Sequence, residues 1–248
     1  MTNIGLQPSI RYNGESSFDF FNTEDLFTVL TPPLVGETIS DDKENLILIE
    51  NGEKKEYGKK NIQPSSIPPL EEVRVSMEKD FSSRIQVSSN ADPALIGTAI
   101  HDVFCVLEKN KDIEFISSII ESHGFRKEIP NSDEVLRAWN NLESYLKEQY
   151  GEEYTTLHEC PFSYEEDSFE VNGTIDLVWE TKEGAVLIDY KTFQGKKNSI
   201  LDPGDSHYAG LYSGQFSAYR KALEKAGRKV LASFVYYPVA GCLVRIEW

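Results

Sequence analysis

The sequence has little cysteine, little basic charge and no long apolar run, and each shortage closes off a class of protein. Three cysteines, Cys105, Cys160 and Cys242, lie 55 and 82 residues apart with no C-x-x-C pair. An odd number at such spacing argues against a disulfide framework and against a zinc knuckle. The most apolar window, Val230–Val244, is interrupted by Ser233, Pro238 and Gly241. It is too short and too punctuated for a bilayer span and reads as two strands, so no membrane partner is expected. The opening MTNIGLQPSIRYNGESS has neither a basic start nor an apolar stretch. No signal peptide is expected, and a cytoplasmic location follows. Basic residues number 25 against 41 acidic ones, a net charge of −16 over 248 residues. That balance argues against non-specific coating of nucleic acid, which requires Lys and Arg.

What is present divides unevenly along the chain. Six of the eleven prolines fall in the first 70 residues. There they mix with acidic residues and one hairpin signal, Leu46-Ile47-Leu48-Ile49 followed by Glu50-Asn51-Gly52-Glu53. Residues 1–66 read as an irregular acidic segment, the tail of something larger, and 67–93 as a linker. From residue 94 to 248 the text is regular. Asp92-Pro93 opens a helix, and Ile96, Ile100, Val103 and Leu107 make its buried stripe. Gly97, His101 and Cys105 form a neighbouring stripe. Helices follow at about 113–122 and 132–150. Strands are expected at 155–164, 169–180 and 185–192, then a helix over about 206–226 and two strands at 229–237 and 242–248. This order is an α/β fold, a mixed sheet with helices on its faces.

Chemistry concentrates in Gly173-Thr174-Ile175-Asp176-Leu177-Val178 and Ile188-Asp189-Tyr190-Lys191-Thr192. Residues two apart on a strand share a face, so Asp189 and Lys191 project together and Tyr190 points the other way. Antiparallel pairing brings Asp176 of the preceding strand close to Asp189. Two carboxylates beside an ammonium suit a divalent ion and an activated water. An acidic-x-Lys triplet occurs four times in the chain, but only 189–191 follows an apolar strand, Ala185–Ile188. The plain alternative is a surface cross-strand ion pair worth ~0.2–1 kcal/mol. His101 and the stripe Tyr208, Tyr212, Gln215 and Tyr219 have plain alternatives too, as a satisfied helical histidine and as core aromatics.

Taken together, G-x-x-x-H (97–101), GTIDLV (173–178), IDYKT (188–192) and Q-x-x-x-Y (215–219) resemble the PD-(D/E)XK nuclease superfamily. The resemblance is strongest to the RecB-type nuclease domain of RecB- and AddA-like helicase–nucleases. It implies a restriction-endonuclease-like core, a central mixed sheet flanked by helices. It implies that His101, Asp176 and Asp189 bind Mg²⁺ or Mn²⁺ with the backbone carbonyl of Tyr190, and that Lys191 is the catalytic lysine. Glu159 matches an acidic position on the first core strand, and Gln215 and Tyr219 support the site or contact DNA. The expected activity is metal-dependent hydrolysis of DNA phosphodiesters, expected to act as an exonuclease on a single-stranded end. The alternatives are a catalytically silent DNA-binding or assembly module of the same fold, or a standalone nuclease.

Two departures narrow this. No G-x-x-x-x-G-K-[ST] loop is present, so no nucleotide is expected here, and a helicase motor would lie elsewhere in cis or in a partner. The cysteines cannot form a four-cysteine iron–sulfur site. The charge objection is local. Residues 191–229 hold eight basic side chains, Lys196, Lys197 and Arg220 among them, against three acidic ones, a balance of +5. DNA is expected on that face.

Overall fold

A computed structural model of the chain describes residues 60–88, 92–125, 131–166 and 168–248. The expected hairpin at 46–53 lies outside the described residues. Helix α1 (Pro93–Leu107) starts where the sequence places it: Asp92 accepts from the Ala94 N–H and Pro93 occupies the first turn, where no N–H is needed. Its stripe Ile96, Ile100, Val103 and Leu107 is fully buried. Helices α2 (Ile113–Ser122) and α3 (Ser132–Tyr150) are capped by Asp112 and Asn131 and pack with α1.

Seven strands form one sheet: β1 (Lys60–Ile62), β2 (Arg74–Asp80), β3 (Tyr154–Glu166), β4 (Phe169–Thr181), β5 (Ala185–Tyr190), β6 (Val230–Tyr237) and β7 (Cys242–Glu247). Their order is β1-β4-β5-β6-β7-β2, with β3 on the other edge of β4. The pairs β1–β4 and β5–β6 are parallel and the rest antiparallel, so the sheet is mixed. All six residues of β5 are buried, as befits a central strand. A parallel β5–β6 pair needs a long crossover. Residues 191–229 supply it, with α4 (Lys197–Leu201), a 3₁₀ turn (Ala209–Tyr212) and α5 (Ser213–Lys225).

The crossover and the three earlier helices take opposite faces. Val186, Ile188 and Tyr190 of β5 join the core under α1–α3, while Leu187 joins the core with Phe216 and Tyr219 of α5. Asp189 therefore falls on the α5 side.

Three expectations are corrected. Residues 60–66 do not belong to an irregular segment, because β1 pairs parallel with β4 and Pro64–Ser66 form a 3₁₀ turn. Residues 67–93 are not merely a linker, because β2 within them pairs antiparallel with β7. Its sequence, RVSMEKD, is charged because it is an edge, yet Val75 and Met77 pack on the core. The helix expected over 206–226 begins only at Ser213, since residues 202–208 form turns around Pro203-Gly204. No helix among the described residues is long and apolar enough to cross a membrane.

Candidate functional site

The site exists because β4 changes partners. Its residues 177–180 pair with β5 and residues 169–171 with β1, so 172–176 face no strand on that edge. Gly173 lies in this gap, and a Cβ there would come within 2.5 Å of Pro64. Asp176 closes the gap's upper end: its Oδ2 accepts from the Tyr190 N–H at 2.7 Å. Both aspartates are buried, Asp176 at 9% exposure and Asp189 at 1%.

Two further elements converge on Asp176. From α1, His101 places Nε2 3.7 Å from Asp176 Oδ2 and Nδ1 3.4 Å from Glu159 Oε1. Gly97, one turn earlier, lets α1 approach: an added Cβ would lie 3.1 Å from Thr192 Oγ1. From β3, Glu159 stands opposite Asp176, between the pairs His158–Leu177 and Cys160–Ile175, with φ +46°. A non-glycine residue in the left-handed region is held there by its surroundings, and such positions cluster at functional sites. One ligand atom from each of His101, Glu159 and Asp176 lies within 4.8 Å of the others.

Asp189 belongs to a second group. Its Oδ1 accepts from Gln215 Nε2 at 2.8 Å and from the Tyr219 hydroxyl at 3.3 Å. Its Oδ2 lies 2.6 Å from Lys191 Nζ, an ion pair without hydrogen-bond alignment. The Lys191 ammonium also sits 4.9 Å above the centre of the Tyr212 ring. The two groups are joined by charge, since Asp176 and Asp189 repel one another.

Electrostatics reflects this crowding. Burial, then repulsion from Asp189, pushes Asp176 up to about 7, against the opposing pull of His101, the Tyr190 N–H and Lys191. Burial alone would lower His101, but its Glu159 hydrogen bond and the charges of Asp176, Glu159 and Asp189 outweigh that and raise it. Burial is likewise outweighed by Asp189 at Lys191, whose value is raised, so it is an ammonium at neutral pH. Cys105, the third residue of the Gly97–His101 stripe, is pushed to about 12 by burial and the nearby acids, which leaves an inert thiol.

A cleft of about 720 Å³ opens on these residues, lined by His101, Glu159, Tyr190, Lys191 and Thr192 among others. The Tyr190 ring leaves it, packing edge-on to His101 and Phe104. Three expected residues stand apart from the cluster. Lys196 is exposed. Lys197 pairs with Asp80, and the Arg220 guanidinium stacks 4.4 Å over Trp248. Sequence reasoning singled out Tyr212 only as part of a stripe and Thr192 only as the last residue of the IDYKT block, with no role given to either. The signal for Tyr212 was its place three residues before Gln215 on one helical face.

A mixed sheet whose central strand ends in Asp-x-Lys, flanked by a helix-borne histidine, defines a nuclease core of the restriction-endonuclease-like class. Residues 77–245 match the PD-(D/E)XK nuclease superfamily, and the chain belongs to that superfamily. Among its relatives is an ATP-dependent helicase/nuclease subunit from Alkaliphilus oremlandii, 29% identical over 161 residues, covering 56% of this chain and 13% of that protein. The protein of the same name from Thermoanaerobacter sp. is 28% identical over 165 residues, with the same coverages. That from Anoxybacillus flavithermus is 35% identical over 94 residues, or 36% of this chain and 8% of the relative. The chain thus spans about 13% of the length of the first curated relatives it matches.

Proposed function

We propose that this chain is a divalent-metal-dependent DNA nuclease that hydrolyses phosphodiester bonds. The observation that carries the reading is the meeting of His101, Glu159 and Asp176 donors within 4.8 Å, with the Asp189–Lys191 pair beside them. The donor chemistry fits a cation: hard carboxylate oxygens suit Mg²⁺, and the imidazole makes Mn²⁺ equally acceptable. A buried carboxylate crowded by another, as Asp176 is by Asp189, is unfavourable alone and favourable around positive charge. His101, Asp176 and Asp189 would hold the ion with the Tyr190 carbonyl, and Glu159 would complete or orient the set through His101. When bound, such an ion polarises the scissile phosphate and activates water.

The chain's own groups do the rest. Lys191, already an ammonium, offsets the charge that builds on the phosphate oxygens. Gln215 and Tyr219 fix Asp189 Oδ1, so the carboxylate cannot rotate away. The proposed mode is exonucleolytic action on a single-stranded end, with exposed Lys196 as a phosphate contact. The names of the relatives support a role as the nuclease part of a helicase–nuclease, with the motor in cis or in a partner; the process proposed for it is DNA repair and recombination.

The test incubates linear single- and double-stranded DNA with Mg²⁺ or Mn²⁺, comparing wild type with Asp189→Ala. Cleavage should fall at least about 10²–10³-fold in the variant. Equal cleavage by both proteins would sink the reading. DNA binding without cleavage under either metal would leave a silent binding module instead.

A further inference from the structure

Lys191 is held from two sides, and the proposed mechanism uses only one. Asp189 lies on one side and the face of Tyr212 on the other. Tyr212 ends the 3₁₀ turn and is the N-cap of α5, so it begins a stripe that continues three and seven residues later with Gln215 and Tyr219. Those two side chains reach Asp189 Oδ1. One face at the start of one helix thus addresses both members of the Asp-x-Lys pair: two polar groups grip the carboxylate, and an aromatic face lies under the ammonium. The contact is sheltered, since the Lys191 side chain is 27% exposed and Tyr212 is half-buried. Shelter strengthens attraction between an ammonium and the negative face of a ring.

We infer that Tyr212 is a positioning residue for Lys191, its ring holding the ammonium at the cleft when the Asp189 carboxylate is engaged elsewhere. The inference rests on the nuclease reading, in which Asp189 serves as a ligand and its pull on Lys191 weakens. A free lysine stem then regains rotamer freedom, and reordering it opposes the reaction. A carboxylate in place of the ring would add a further negative charge to an already crowded cluster. A hydroxyl or amide would compete for the same cation. An aromatic face restrains the ammonium and does neither.

The test compares Tyr212→Leu and Tyr212→Phe in the full chain. At saturating DNA and Mn²⁺, Leu should lower kcat about 5–30-fold with KM for DNA within about twofold, and Phe should restore most of the loss. A second readout needs no turnover: the εCH₂ NMR signal of Lys191, assigned by its loss in Lys191→Met. In wild type it should be ring-shifted upfield and stay so when Ca²⁺ is added; in Tyr212→Leu it should return to the random-coil position. Three results would overturn the inference: a Leu variant with wild-type kcat, a Phe variant as impaired as Leu, or a wild-type signal that relaxes on adding Ca²⁺. A wild type that cuts no DNA yet keeps the ring-shifted signal would sink the nuclease reading and leave the Tyr212–Lys191 hold standing.

Discussion

Charge is handled in opposite ways in the cleft and in the crossover that follows it. In the cleft, Glu159, Asp176 and Asp189 are gathered around His101 and Lys191, and burial and repulsion push Asp176 up to about 7. The crossover carries a local balance of +5, yet five of its eight cations are matched with partners from elsewhere in the fold. Lys197 meets Asp80, Lys221 meets Glu166, and Arg228 meets Glu180, while Arg220 stacks on Trp248 and Lys225 lies over Tyr164. A net charge counted along the chain is therefore not a surface potential. The crossover's cations are mostly taken up by local partners on a body that stays acidic, the whole chain carrying −16, whereas the acidic cleft keeps its like charges in conflict. Conflict of that kind persists where some other interaction compensates it, which is why it marks the site better than the excess of lysine does.

The strongest way to break this contrast is to remove the conflict. Asp176→Asn should weaken Mn²⁺ binding about 10²-fold or more by calorimetric titration and, without metal, should stabilise the protein. The sign follows from linkage. The folded pKa of Asp176, about 7, lies above its ordinary 3.8, so the folded state binds the extra proton and its stabilising effect disappears as pH rises through 7. His101, also raised, acts in the same direction. With EDTA, the wild-type Tm should fall by about 5 °C between pH 5.5 and 8, and the Asn variant should be flatter and higher at pH 8. A flat wild-type profile would remove the claim of crowding.

A smaller effect should come from the backbone that sets up the crowding. Gly97→Val would drive a branched side chain into Thr192, pushing α1 from the end of β5 and His101 with it. Overpacking of this kind costs about 1–3 kcal/mol. Mn²⁺ affinity should fall roughly 10-fold. Adding Thr192→Ala should recover part of both losses, as followed by thermal melting and titration. No recovery would mean that the glycine serves something other than this contact.

These two tests probe features that differ in how far they could be read from sequence. The α1 stripe was legible because four apolar residues at helical spacing have one buried solution, and Ile96, Ile100, Val103 and Leu107 take it. Asp189 and Lys191 were legible for the same reason with period two, β5 being apolar up to the aspartate. Glu159 was only a weak match, because its place beside His101 depends on a positive φ that a single letter does not announce. Asp189 was expected among the ligands, but the described geometry ties it more closely to Lys191 and α5 than to the His101 triple. Strand β2 was missed because an edge strand is charged by necessity, and its two inward residues, Val75 and Met77, are too few to show a period. The pairing of the crossover cations was unreadable, since their partners at 80, 166 and 180 lie far away in the sequence.

The crossover's ion pairs yield the smallest and sharpest prediction. Lys221 and Arg228 are half-exposed or more and already face carboxylates. Exposed pairs contribute about 0.2–1 kcal/mol, so Lys221→Ala and Arg228→Ala should shift stability by no more than that. They should also change DNA affinity little, because each removal frees a carboxylate where a cation had been neutralised. Lys196 is different: it is exposed, with no carboxylate partner among the described residues. Lys196→Ala should weaken binding of single-stranded DNA and lower the slope of log affinity against log salt by about 1, the signature of one lost phosphate contact. Fluorescence anisotropy across a salt series measures both. If Lys221→Ala changes that slope as much as Lys196→Ala does, the crossover's paired cations still face the phosphates, and the contrast between the two regions fails.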